Sequence, residues 1–251
     1  ITKLVDAHAV ISLKEDEKTG AGRPSTLFTS ARSCAYSVGI VISRASFAAV
    51  LLHRGGDVLV AQSLPATHPI NYREALDSIG ALLLERAHTR GIITDYVRTI
   101  GVGLPVPMGS NVSHPPHSPY PSRESITEII SRRWKGNILI DTTARLCALS
   151  EALWGAGQGY PSILYVRLSN GIGASLVVSY RLSGGELGFT GELGHMRVPD
   201  VHTPCVCGKE GCLESLASIP ALCAQCDVSS LSELARKVSN QDSRTLSILE
   251  H

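Results

Sequence analysis

Four residues between positions 195 and 212 constrain this chain more than any other feature. His195 is followed after nine residues by Cys205, Cys207 comes one residue later, and Cys212 follows after four more. One imidazole and three thiolates make a closed tetrahedral Cys₃His set, the donor chemistry of structural zinc. Soft sulfur ligands favour zinc over magnesium or calcium. Gly208 and Gly211 let the short loop turn back so that the sulfurs converge. The alternative is three unlinked thiols on a loop. The seven cysteines favour the metal: their number is odd, and three fall within positions 205–212, which suits a metal site in a reducing compartment better than a disulfide framework. The expectation is one structural Zn²⁺ per chain on His195, Cys205, Cys207 and Cys212, in a cytoplasmic protein.

The rest of the chain reads as mixed α/β. Apolar residues make up 43% and charged residues 18%, enough for a globular core, and the net charge of +1 predicts neither nucleic-acid nor membrane binding from bulk charge. No apolar run approaches a membrane span, and no charged-then-apolar signal segment opens the chain. Residues 1–11 read as the end of an amphipathic helix running into a short strand, and residues 14–25 as a polar loop. From Tyr36 three β-rich runs follow, AYSVGIVIS, SFAAVLLHR and DVLVAQS, the last two separated by the hairpin signal Arg54-Gly55-Gly56-Asp57. Helices are expected at 70–90, 123–134 and 143–153, the last ending at Gly155. Strands are expected at VRTIGVGLP and at 138–140, then a buried strand at ILYVRLS and another at SLVVSY. Beyond Cys212 the pattern is helical to the end. Three strands opening a fold, then alternation, then a second strand pair fit two related lobes.

At the metal motif the chain resembles the ROK family of sugar-responsive transcriptional repressors and sugar kinases. GELGHMRV…CVCGKEGCLESLAS matches that family's signature almost letter for letter, and the resemblance extends through SILYVRLSNGIGASLVVSYRLSGG and GVGLPVP, covering about residues 29–225. It implies a two-lobed actin-like (ribonuclease-H-like) fold with sugar bound in the cleft, preceded in the repressor branch by a winged helix-turn-helix. The resemblance therefore divides the chain into residues 1–28, the end of a winged helix-turn-helix and its linker; residues 29–139, an N-terminal lobe; and residues 140–251, a C-terminal lobe carrying the zinc loop. It also implies that Glu192, His195 and Glu214 contact an effector's hydroxyls. Carboxylates accept paired hydrogen bonds from adjacent hydroxyls, and zinc fixes the imidazole; the alternative for both glutamates is support of the metal loop. Lys3 and Arg23 become the candidate DNA-contacting residues, with Gly22-Arg23-Pro24 equally readable as a plain linker turn. The family body continues for several helices and a strand beyond the position of His251, so the chain is expected to be incomplete or the protein to end early.

The kinase machinery of the family is degenerate here. Where a DxGGT phosphate turn is expected the chain reads Val41-Ile42-Ser43-Arg44-Ala45, and without those glycines backbone amides cannot close on phosphate oxygens. Anchored on Ala148-Leu149-Ser150-Glu151, the family's Asn falls on Thr142 and its base Asp on Thr143. A threonine hydroxyl is too weakly basic to serve as general base near neutral pH; Asp141 is a replacement only after a two-residue shift. The expectation is a repressor without enzymatic activity, a homodimer or homotetramer with a DNA operator and a sugar or sugar-phosphate effector as partners and no membrane association. The alternatives are a sugar kinase and a non-catalytic sugar-binding module. Cys223-Ala-Gln-Cys226 is open between a redox pair, a metal half-site and ordinary core cysteines, and His114 and His117 lie in a proline-rich loop that is either a lid or plain surface.

Overall fold

The computed structural model describes residues 10–13, 27–30, 36–43, 45–53, 55–67, 69–105, 120–184 and 191–250. Lys3 and Arg23, the 14–25 loop and the histidines at 114 and 117 lie outside the described residues. So do Arg44 and Arg54, and nothing described carries the expected helix end at the N-terminus. Strands β1 (Val10–Leu13) and β2 (Leu27–Ser30) pair antiparallel, with Val10 opposite Ser30 and Leu13 opposite Leu27.

The chain divides into two compact units, the first holding the described residues up to Leu104 and from Tyr120 to Asp141, the second Pro105 and those from Thr142 onward. In the first, β3 (Tyr36–Ile42), β4 (Ser46–His53) and β5 (Val58–Pro65) form an antiparallel meander. The β4–β5 turn closes as expected: Gly56 takes φ +93°, its amide donates to His53 O, and the His53 amide donates to Asp57 O. β6 (Val97–Leu104) pairs parallel with β3, and β7 (Asn137–Thr142) completes the sheet order β5-β4-β3-β6-β7. A parallel neighbour requires a crossover, which α1 (Tyr72–Thr89) supplies. Its buried residues Leu76, Ile79, Leu83 and Ala87 recur at helical spacing, and α1 packs on β4 and β5. Asn71 caps it by accepting from the Glu74 amide at 3.2 Å. At the far end Gly91, at φ +69°, donates to His88 O while Ile92 donates to Ala87 O, the paired bonds of a Schellman stop. α2 (Arg123–Ser131) buries Ile126, Ile129 and Ile130, and packs against α1.

In the second unit, α3 (Thr143–Trp154) is capped by Thr142 Oγ1, which accepts from the Arg145 amide at 3.3 Å, and ends at Gly155. β8 (Ser162–Leu168), β9 (Ile172–Val178) and β10 (Arg181–Leu182) form a second antiparallel meander in the order β10-β9-β8. Two strand expectations are corrected. SLVVSY is not strand to its end: Ser179 and Tyr180 take φ of +49° and +62° and form a two-residue turn into β10. ILYVRLS is not a buried strand. Its side chains alternate, with Ile163 and Tyr165 packed beside the α3 core of Ala148, Ala152 and Val177. On the opposite face Leu164 and Leu168 are 66% and 67% exposed, because α3 covers only one side of the meander. The helical C-terminal region resolves into α4 (Leu213–Ala217), α5 (Ile219–Gln225), α6 (Leu231–Ser239) and α7 (Ser243–Leu249).

Candidate metal and effector site

All the residues singled out at 192–214 lie in the second unit, and the local backbone explains how they converge. A 3₁₀ turn, Leu193–His195, presents His195. The chain then makes an antiparallel bridge between Arg197 and Cys212, with the Val198 amide donating to Gly211 O at 2.7 Å and the Leu213 amide to Met196 O at 2.9 Å. A second bridge joins Pro204 to Glu210, and the Cys205 amide donates to Lys209 O. The loop is thereby folded back twice. Gly208, at φ +86°, forms its tip. Gly211, at φ +73°, sits where a Cβ would come 2.2 Å from Val201 O, so no other residue fits that close approach.

The four donor atoms of His195, Cys205, Cys207 and Cys212 lie within 4.8 Å of one another. Cys205 Sγ is 3.6 Å from His195 Nδ1, and Cys207 Sγ is 3.6 Å from Cys212 Sγ. A tetrahedron with metal–sulfur bonds of ~2.3 Å separates neighbouring sulfurs by ~3.8 Å, so the donor set fits a metal of zinc's size. Without a metal, burial and the adjacent Cys205 and Cys207 sulfurs push the Cys212 thiol up to about 12. A cation removes that penalty by taking the thiolate as ligand. Among the described residues this is the only group of three or more metal-donor side chains. Cys223 and Cys226 belong instead to a buried cluster with Leu234, packed by Ile219, Leu222, Val228 and Ile248.

The imidazole of His195 is shared between two neighbourhoods. Nδ1 faces the sulfurs, and Nε2 lies 3.9 Å from Glu192 Oε2. Burial raises the Glu192 carboxyl above its ordinary value; His195 opposes the shift and Glu214 adds to it. The three residues thus form one electrostatic cluster. Glu214 carries a contact that the sequence did not reveal: its Oε2 accepts from the Ile172 amide at 2.8 Å. Gly171 and Gly194 make room for it, since a Cβ on Gly171 would lie 2.8 Å from that oxygen and one on Gly194 would lie 2.3 Å from Ile172 O. The glycines at 171 and 194 were the available signal. Among the described residues the hydrogen bond of the Glu214 carboxylate is made by Oε2 alone, so one oxygen anchors the side chain and Oε1 does not share in it.

The positions of the missing kinase residues are equally definite. Thr142 serves as the α3 cap. Thr143 is 7% exposed, and its Oγ1 is buried without a hydrogen-bond partner among the described residues. Arg145, one turn into α3, donates from Nη1 to Ser183 O at 2.9 Å, tying the helix to the segment that leads towards Gly191.

The sequence model of the ROK family matches residues 37–250. The chain is 27% identical over 248 residues to the xylose repressor of Bacillus spizizenii, covering 96% of this chain and 62% of that one. The chain therefore spans less than two thirds of that relative's length. A solved ROK family transcriptional regulator, described as a homologue of the Escherichia coli MLC protein, superposes with a TM-score of 0.75 at 23% identity, over 98% of this chain and 66% of that one. A ROK hexokinase from Thermus thermophilus gives 0.63 at 27% identity, over 85% of this chain and 72% of the other. The α/β units described above fit the actin-like fold of these neighbours.

Proposed function

The chain belongs to the ROK family, and from that premise we propose that it is the effector-binding body of a sugar-responsive transcriptional repressor. The observation that carries the reading is the cluster of Glu192, His195 and Glu214 on a Cys₃His scaffold, joined in one unit to a threonine pair where a kinase needs a proton acceptor. Glu192 and Glu214 Oε1 accept hydrogen bonds from adjacent sugar hydroxyls, and His195 Nε2 orients between ligand and Glu192. Zinc on His195 Nδ1, Cys205, Cys207 and Cys212 supplies structural rigidity and fixes the imidazole tautomer. The effector is a sugar or sugar phosphate. DNA binding belongs to an N-terminal domain, to which Lys3 and Arg23 contribute, and paired operator half-sites call for a homodimer or homotetramer acting in the cytoplasm.

Sugar kinase activity is the second reading, favoured by the likeness to the Thermus hexokinase. Against it, a hydroxyl sealed from solvent at Thr143 cannot relay a proton from a substrate. Calorimetric titration with aldoses, amino sugars and their phosphates tests the first reading, and Glu192→Ala is expected to weaken any binding at least tenfold. Unchanged affinity in that variant moves the effector site elsewhere. A coupled ADP assay over the same panel is expected to stay at background; sugar-dependent turnover establishes the kinase instead.

A further inference from the structure

The three sulfurs of the metal loop differ in accessibility. Cys207 is exposed on the loop tip beside Val206, which is 81% exposed, whereas Cys212 is 1% exposed and held by the bridge to Arg197. Cys212 nevertheless lines an open groove together with His195, Arg197, Lys209 and Glu210. The separation of 3.6 Å between Cys207 Sγ and Cys212 Sγ leaves ~1.5 Å to close to the ~2.05 Å of a disulfide. The loop is open beside Cys207, where a Cβ on Gly208 would meet nothing within 4 Å, and close-packed beside Cys212, where one on Gly211 would come 2.2 Å from Val201 O, so the closing movement falls to Cys207. Cys205 is turned towards His195 Nδ1. The remaining described cysteines are less suited, Cys223 and Cys226 being buried in a helical core and Cys147 half-buried on α3.

We propose that Cys207 and Cys212 form a peroxide-sensitive pair whose oxidation dismantles the metal site. The Cys207 thiolate attacks one oxygen of hydrogen peroxide; the S–O bond forms, the O–O bond breaks, and the departing hydroxide takes up a proton as water. The Cys212 thiolate then attacks the Cys207 sulfur; the S–S bond forms, the S–O bond breaks, and a second hydroxide leaves as water. The pair loses two electrons to peroxide and two protons are consumed. His195 and Cys205 are left as the only donors, too few for a closed site. The consequence for the effector rests on the function proposed above. Loss of the metal frees the His195 imidazole beside Glu192 and removes the fixed anchor at Cys212, the N-cap of α4 two residues before Glu214, whose Oε2 holds the Ile172 amide, so the ligand-facing carboxylates lose their common support.

The test uses the zinc-loaded chain and stepwise hydrogen peroxide, with released zinc read by a chromogenic chelator, remaining thiols counted, and tryptic peptides mapped by mass spectrometry. Cleavage after Lys209 separates the two partners, so the product is a disulfide-linked pair of peptides. Release of one zinc with loss of two thiols, linked through Cys207 and Cys212 and reversed by reductant plus zinc, is expected. The Cys223→Ser/Cys226→Ser double variant is expected to behave identically. Zinc retained after the first two thiols are lost, or a link made by Cys205 or between Cys223 and Cys226, overturns the proposal. Glucose, xylose and N-acetylglucosamine titrated into reduced and oxidised protein separate the two ideas. A sugar that binds the reduced form is expected to bind the oxidised form at least tenfold more weakly. Equal affinity overturns the coupling, whereas a reduced form that binds none of the three counts against the effector reading and leaves the thiol chemistry standing.

Discussion

Replacing Gly191 with alanine tests whether the turn that carries Glu192 and His195 is seated on the sheet as described. Gly191 has φ +98°, and an added Cβ would lie 1.8 Å from Ala174 O. The conformational penalty of a left-handed φ on an alanine is ~1–2 kcal/mol. The clash is with backbone, which cannot rotate away as a side chain would. Gly191 must therefore withdraw from β9, breaking the 2.8 Å bond from the Ala174 amide to Gly191 O. Loss of that bond with a buried amide left unpaired costs a further ~1–3 kcal/mol. The whole effect is ~2–5 kcal/mol on the second unit, on the order of 10 °C in its melting transition. Gly159→Ala is the control: φ there is +83°, but nothing lies within 4 Å of the new Cβ, so only the conformational share is expected. Thermal unfolding of both variants, with zinc content measured in parallel, separates the contributions. Equal destabilisation of the two would refute the seating of the turn against Ala174, as would a Gly191→Ala protein with an unchanged melting transition.

Other outcomes follow from the same structure. Cys205→Ser, or chelation of the metal, is expected to abolish zinc stoichiometry and expose the 205–212 loop to proteolysis; full zinc retention sinks the donor assignment. Ser175 is 1% exposed and its hydroxyl has no partner among the described residues, so Ser175→Ala is expected to leave stability in urea unchanged or raise it by up to ~1 kcal/mol, whereas a clear loss would mean that the hydroxyl is hydrogen-bonded. Hydrogen bonds from the Thr245 hydroxyl and amide hold the Asp242 carboxyl below its ordinary range. A depressed carboxylate stabilises the fold above its unfolded value and ceases to as pH falls through the folded one, so hydrogen exchange at the start of α7 is expected to accelerate on acidification below about 4. Asp242→Asn should flatten that dependence.

Much of the architecture was legible because it depends on short-range patterns. α1 announces itself through an apolar period of three and four between an asparagine cap and a glycine stop, and the β4–β5 hairpin through Gly55-Gly56. β10 was missed because Ser179 and Tyr180 lack the glycine or asparagine that marks a two-residue turn with positive φ, and are held there by the pairing of Arg181 and Leu182 with Val178 and Val177. The apolar run of β8 suggested burial on both faces, but burial depends on what covers a face, and α3 covers one.

The sequence by itself determined the Cys₃His cluster, the family and the departure from the kinase's acid and glycines, because each is a matter of residue type at fixed spacing along the chain. Tertiary structure alone decided which oxygen of Glu214 is committed to the Ile172 amide, which nitrogen of His195 faces sulfur and which faces Glu192, and that the Thr143 hydroxyl is sealed away. These depend on contacts between residues dozens of positions apart, and side-chain orientation and exposure are set by packing against such partners, which no local spacing encodes.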